Sequence, residues 1–158
     1  MKKLFLTLCV ALFSLGASAQ EQGEMAVGAS LNFNTDASMF GLGARYQYFF
    51  IDNLRGDGEF TYYFKKNGTS MFTVLASANY LFNVADQLDV YPIAGLGIGH
   101  SSTSFEGHES ISSTNFIGQI GAGTQYNFTD KFAVNFDAKV QFSKSTAFVL
   151  AAGIIYKF

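Results

Sequence analysis

Tryptophan is missing from this chain of 158 residues, proline and cysteine occur once each, and only 14% of the residues are charged. The one cysteine, Cys9, sits in an apolar N-terminal run that reads as a removable leader. The mature chain is therefore expected to lack any disulfide, thiolate metal site or cysteine nucleophile. No later apolar run approaches the ~20 residues of a spanning helix. Charge of one sign is also scarce. Without Lys2 and Lys3, eight basic residues face twelve acidic ones, a net charge of −4. A weakly acidic chain without a Lys/Arg stripe argues against nucleic acid as a partner.

The leader has three parts. Lys2 and Lys3 form a basic start, Leu4 to Leu15 an apolar middle, and Ala17-Ser18-Ala19 a small-residue cleavage site before Gln20. This is a secretory signal over residues 1–19. A lipoprotein would place its cysteine at the cleavage site, whereas Cys9 lies within the apolar middle. The remaining 139 residues, Gln20–Phe158, form one domain by length.

What the chain has in abundance is phenylalanine (18), glycine (16) and tyrosine (8). A Tyr-x-Phe tripeptide closes four segments, at Tyr48/Phe50, Tyr80/Phe82, Tyr126/Phe128 and Tyr156/Phe158, besides the copy at Tyr62/Phe64. The first three copies run into turn-like residues, Ile51-Asp52-Asn53, Asn83-Val84-Ala85-Asp86 and Thr129-Asp130-Lys131. Residues spaced by two share a strand face. Strands that end on an outward aromatic pair suggest a girdle where membrane meets water.

Period-two alternation predicts eight strands, over 25–34, 39–50, 54–64, 71–82, 88–100, 114–128, 132–142 and 147–158. One face collects large apolar residues, as in Phe40, Leu42, Ala44, Tyr46 and Tyr48. The other collects glycines and polar residues, as in Gly41, Gly43, Arg45 and Gln47. Strands of this length can cross a bilayer, which takes about 9–11 residues, while soluble strands average about 5–6. A soluble barrel would also put the large apolar face inside. The pattern therefore predicts an all-β, eight-stranded antiparallel up-and-down transmembrane barrel with both termini on one side. Outer loops are expected near 35–38, 65–70, 101–113 and 143–146, of which only 101–113 is long enough for a sizeable surface.

Three stretches resemble the small eight-stranded outer-membrane barrels of the OmpA/OmpX type. Val90-Tyr91-Pro92-Ile93-Ala94-Gly95-Leu96-Gly97-Ile98-Gly99 is similar to that group's Tyr-Pro strand. Ile120-Gly121-Ala122-Gly123-Thr124-Gln125-Tyr126-Asn127-Phe128-Thr129-Asp130 is similar to its Gly-x-Gly strand and periplasmic turn. Gly153, Tyr156 and Phe158 match the terminal signal read by the barrel assembly machinery, although Ala151 stands where a polar residue is preferred. The resemblance implies an integral protein of a Gram-negative outer membrane, with lipid, lipopolysaccharide and the assembly machinery as partners. It leaves the role open, because the group includes anchors, adhesins, small channels and a few enzymes. With the chain closing on Phe158, the peptidoglycan-binding domain of larger members is not expected.

Inside the barrel, Arg45 is expected to face Glu59 and Gln47 to face Asp57, if Phe50 pairs with Leu54. Pairing of Phe128 with Phe132 sets Gly121 and Gly123 beside Lys139 and Asp137. Buried charges must pair, and an eight-stranded barrel is just wide enough for side chains to fill it. A structural plug is the leading expectation. A narrow channel lined by the same residues is the alternative.

At the outer rim, His100 and Ser102 share outward parity with Ile98, and Glu106, His108 and Glu109 follow. Ser, His and an acid are the minimum for ester hydrolysis. The His-x-Ser spacing resembles that of lipid A deacylases, with Thr103 where those enzymes have Asn. The leading expectation here is an ordinary polar loop, with an extracellular ligand at 101–113, no catalytic residues, no metal and no cofactor. Gly95, Gly97 and Gly99 alternate inside a strand and precede no helix, so they are lumen-facing glycines and not a phosphate loop.

Overall fold

A computed structural model describes residues 23–104, 107 and 109–158. The expected signal segment with its cleavage site at Ala19 lies outside the described residues, as do Glu106 and His108.

Strict alternation gives each segment one lipid-compatible and one polar face, and closure into a cylinder buries every polar face at once. Eight strands are seen among the described residues. They are β1 (Met25–Asn34), β2 (Met39–Ile51), β3 (Leu54–Lys66), β4 (Thr69–Tyr80, continued past Leu81 by Phe82–Ala85), β5 (Leu88–Thr103), β6 (Ile111–Asn127), β7 (Phe132–Phe142) and β8 (Thr146–Lys157). Each is antiparallel to its neighbours, and β1 pairs with β8 from Ala26↔Lys157 to Asn34↔Val149, which closes the barrel.

The register is strongly staggered. From Ala29 the pairs run one way through Ala44, Phe60, Val74 and Ile98 to Phe116. The other way they run through Ile154 and Val134 to Tyr126. One circuit thus returns to β6 ten residues away, which tilts the strands within the usual ~35–45° and fixes a narrow bore.

The barrel is inside-out relative to a soluble one. Arg55 and Asp137 are 0% exposed, while Leu31 is 62% and Phe40 64% exposed. That distribution is stable only where the outer wall meets hydrocarbon. No helix among the described residues is long and apolar enough to cross a membrane; strands make the crossing here.

Four sequence expectations are corrected in detail. Phe50 does not pair with Leu54: a bulge between Phe49 and Ile51 puts Ile51 there instead. The extra residue lets the Phe50 ring lie over Gly56, where an added Cβ would meet it at 2.6 Å. Asn83, Val84 and Ala85 are strand and not turn, leaving Asp86 and Gln87 as the turn, with Gln87 at φ 73°. The 65–70 loop shrinks to Asn67 and Gly68, whose φ values of 51° and 82° are those of a type I′ hairpin. Finally, Ser101–Thr103 and Ile111–Ser113 belong to β5 and β6, so the connection is residues 104–110 and not 101–113. Hydroxyl side chains read as loop, yet cross-strand pairs such as Thr69 Oγ1 with Thr103 Oγ1 at 2.9 Å hold them in the sheet.

Candidate functional site

Inward positions on β2, β3 and β7 carry the charges, and the antiparallel register brings them to one level. Arg45 is opposite Glu59 and Gln47 opposite Asp57 on the β2–β3 pair, while Gly121 and Gly123 are opposite Lys139 and Asp137 on β6–β7. Across the lumen the two groups meet. Arg45 Nη2 donates to Glu59 Oε2 at 3.0 Å and to Asp137 Oδ2 at 2.5 Å. Lys139 Nζ donates to both oxygens of Glu59, at 2.9 and 2.8 Å. Asp57 lies 3.8 Å from Arg45 Nη1, and its Oδ2 accepts from Asn79 at 2.7 Å and from Gln47 at 3.4 Å.

Glycine makes this crossing sterically feasible. A Cβ on Gly123 would collide with Asp137 and with the Tyr91 ring, and one on Gly121 would press on the Lys139 chain. The Gly-x-Gly stretch on β6 is therefore the floor over which the β7 charges reach the centre.

The network is larger than the sequence reading found. Arg55 is fully buried; its Nη1 donates to Gln125 at 2.8 Å, and its guanidinium lies 4.6 Å from the Tyr91 ring centroid. Tyr91 donates its hydroxyl to Asp137 at 2.7 Å. Arg55 Nε is 3.0 Å from Asp57 Oδ1 but out of line for a hydrogen bond, so that contact is an ion pair only. With Arg55 included, three buried cations balance three buried carboxylates. Arg55 shares its inward parity with Asp57 and Glu59 on β3, and Tyr91 shares it with Ile93 on β5. Their partners across the bore depend on the stagger, which local sequence does not show. Beneath the charges, Phe49, Leu81, Tyr91 and Ile93 form an apolar cluster.

Above the charges, Gln141 donates to Gln119 at 3.2 Å and Gln119 to Ser77 at 2.6 Å. Beyond these a vestibule of about 150 Å³ opens outward, lined among others by Asn34, Thr73, Ser101, Asn115 and Lys144.

At the rim, His100 and Ser102 are held by separate partners along the sheet, and Glu106 lies outside the described residues. His100 Nδ1 is 2.7 Å from Thr114 Oγ1, and its ring lies over Phe72 at 5.2 Å. Among the described residues no hydrogen bond joins His100 to Ser102, which pairs instead with Ser70 and Ser112 along the sheet. Among the described residues no group of three His, Asp or Glu side chains could hold a metal ion.

The four Tyr-x-Phe pairs that close even-numbered strands gather at the end opposite the long hairpin. Their ring centroids are 5.2 Å apart for Tyr48/Phe50, 4.9 Å for Tyr80/Phe82, 5.4 Å for Tyr126/Phe128 and 6.2 Å for Tyr156/Phe158. A second group of rings, which the sequence reading did not single out, lies towards the other end on β1–β4 through Phe33/Phe40, Tyr62/Phe64 and Phe60/Phe72. Gly153 sits where a Cβ would press on Ala29 O and Asn135, while Tyr156 contacts Phe132 at 5.1 Å.

Residues 5–157 match the family described as outer membrane protein beta-barrel domain. No curated protein sequence matches the chain. Among solved structures, Neisserial surface protein A is similar with a TM-score of 0.68 at 18% identity, over 85% of this chain and 96% of that one. Ail, the attachment invasion locus protein of Yersinia pestis, gives 0.65 at 18% identity, over 89% and 100%. The N-terminal β-barrel domain of Pseudomonas aeruginosa OprF gives 0.68 at 18% identity, over 88% and 100%.

Proposed function

Because this chain belongs to the outer membrane protein beta-barrel family, we propose that it is a sealed, non-enzymatic barrel that presents its β5–β6 hairpin as a contact surface outside the cell. The observation that carries this reading is the combination of a blocked bore with unequal hairpins. The lumen is crossed by the Arg45, Glu59, Asp137 and Lys139 network. The β5–β6 hairpin, with strands of 16 and 17 residues, rises above the short turn at 67–68 and the connections at 35–38 and 143–145. A plugged bore leaves the surface as the working part.

In this reading residues 1–19 direct export and are removed near Ala19. Gly153, Tyr156 and Phe158 are read by the assembly machinery, and the Tyr-x-Phe belt seats the barrel against lipid and lipopolysaccharide at the periplasmic interface. Ail of Yersinia pestis has been solved in complex with the heparin analogue sucrose octasulfate. Here, Ile98 through Ile117 contain no Lys or Arg and include Glu106 and Glu109. A protein surface therefore suits this hairpin better than a polyanion.

The test is a variant in which residues 102–112 are replaced by an Asn-Gly turn, expressed in the outer membrane of its own cells. Cell-surface contact should fall while the barrel still folds and lipid A keeps its mass. Mass spectrometry of lipid A incubated with the refolded protein, beside a His100→Ala control, addresses the enzymatic rival. Loss of an acyl chain with the unaltered protein alone would overturn the non-enzymatic reading.

A further inference from the structure

Strand β6 runs over seventeen residues, Ile111–Asn127, and β5 pairs with it along its whole length. On its other side β7 pairs only from Gly118 to Asn127, because the β7–β8 hairpin turns back at Ser143–Ser145. Ile111 to Ile117, about 23 Å of strand, therefore shows one open edge. Among the described residues no backbone hydrogen bond reaches that edge from another segment.

An open edge offers unpaired N–H and C=O groups, and proteins ordinarily protect such edges with Lys, Pro, a bulge or a covering loop. None of the first three is present. Ile111-Ser112-Ser113-Thr114-Asn115-Phe116-Ile117 has no charge, Pro or Gly, and its pairing with β5 is free of register shifts. Ile111, Thr114, Phe116 and Ile117 are strand-favouring residues. Side-chain parity adds a second feature. Asn115 and Ile117 line the 150 Å³ vestibule, which also reaches Ser143 and Lys144 at the foot of the edge. A strand laid there in line with β7 would direct alternate side chains into that space. Lys144 is exposed at the foot and forms no ion pair among the described residues.

We propose that the β6 edge at Ile111–Ile117 is a β-augmentation site for an extended, largely uncharged segment of an extracellular protein, running antiparallel to β6 with an acidic residue at its start against Lys144. The mode is strand addition, in which main-chain bonds give affinity and every second side chain gives specificity. This rests on the reading of the β5–β6 hairpin as the contact surface and names its partner. A second copy fits less well. Two barrels upright in one membrane present this edge running the same way, which permits only parallel pairing, the weaker arrangement.

The probe is a capped peptide, Asp-Thr-Val-Thr-Val-Thr-Ile-Thr, added to the full refolded chain in lipid nanodiscs. Amide exchange at Ser112, Thr114 and Phe116, whose N–H groups point away from β5, should slow by roughly tenfold or more at saturation, and the same peptide N-methylated at alternate residues should have no effect. Lys144→Glu should weaken binding by roughly fivefold. Asn115→Lys should abolish it while leaving unfolding in urea unchanged. Unaltered exchange at millimolar peptide would overturn the proposal. So would slow exchange without peptide, which would show the edge already covered, or protection that rises with protein concentration alongside dimers, which would assign the edge to a second copy. If shortening the hairpin removes cell contact but the edge amides ignore the peptide, the contact surface stands and strand addition does not.

Discussion

Arg45 is the residue on which the lumen depends. It lies within reach of three carboxylates, Asp57, Glu59 and Asp137, and is 5% exposed. Burying such a set is costly, so the whole network need not add much stability over an apolar filling. Breaking it is another matter, since Arg45→Ala leaves two buried cations against three carboxylates. The expected loss is about 3–5 kcal/mol, read from urea unfolding in lipid vesicles. Gly123 makes a complementary case. Gly123→Ala drives a methyl into Asp137 and the Tyr91 ring, and overpacking of this kind costs about 1–3 kcal/mol. Equal unfolding midpoints for Gly123→Ala and the unaltered protein would show that the β6 floor is not tight. At this scale the sequence was informative where partners are strand neighbours. Gly121 with Lys139 follows from turn placement and alternation alone, and Arg45 with Glu59 holds because the bulge at Phe50 offsets the one-residue shift at the turn. The Arg55 contacts with Gln125 and Tyr91 do not follow, because they cross the bore between strands that never pair.

Among the elements, hairpin ends were harder to read than strand bodies. The bodies of β1 and β7 coincide with their predicted limits, since their alternation stops abruptly. The β3–β4 turn was predicted too long, although Asn67-Gly68 is the composition a type I′ turn requires. Gly68→Val forces a β-branched residue to positive φ and sets its Cβ against Ser104 O. It should cost about 1–3 kcal/mol and lower the yield of folded barrel on a heat-modifiability gel. An unchanged yield and midpoint would show that this turn contributes nothing to folding. The outer ends of β5 and β6 were missed because their strand is built from Ser and Thr, residues that favour turns in isolation but pair across a sheet. The Phe50 bulge was equally hidden, since nothing local distinguishes Phe50 opposite Leu54 from Ile51 opposite Leu54.

For the whole molecule, the fold was legible because one physical rule acts on every strand: apolar residues face lipid and polar residues face the bore. Stagger then closes eight strands around a space that side chains fill. The vestibule above the Gln119–Gln141 contact leads inward only as far as the charged network, and below that network the Phe49–Leu81–Tyr91–Ile93 cluster fills the bore again. In the sealed reading proposed above, the barrel conducts nothing unless Arg45, Lys139 and their carboxylates separate. Single-channel recording of the unaltered protein in planar bilayers tests that claim most directly. The account predicts no sustained conductance at neutral pH from preparations shown to be folded. A stable open level from the unaltered barrel would contradict the sealed lumen and make the charged residues the lining of a pore.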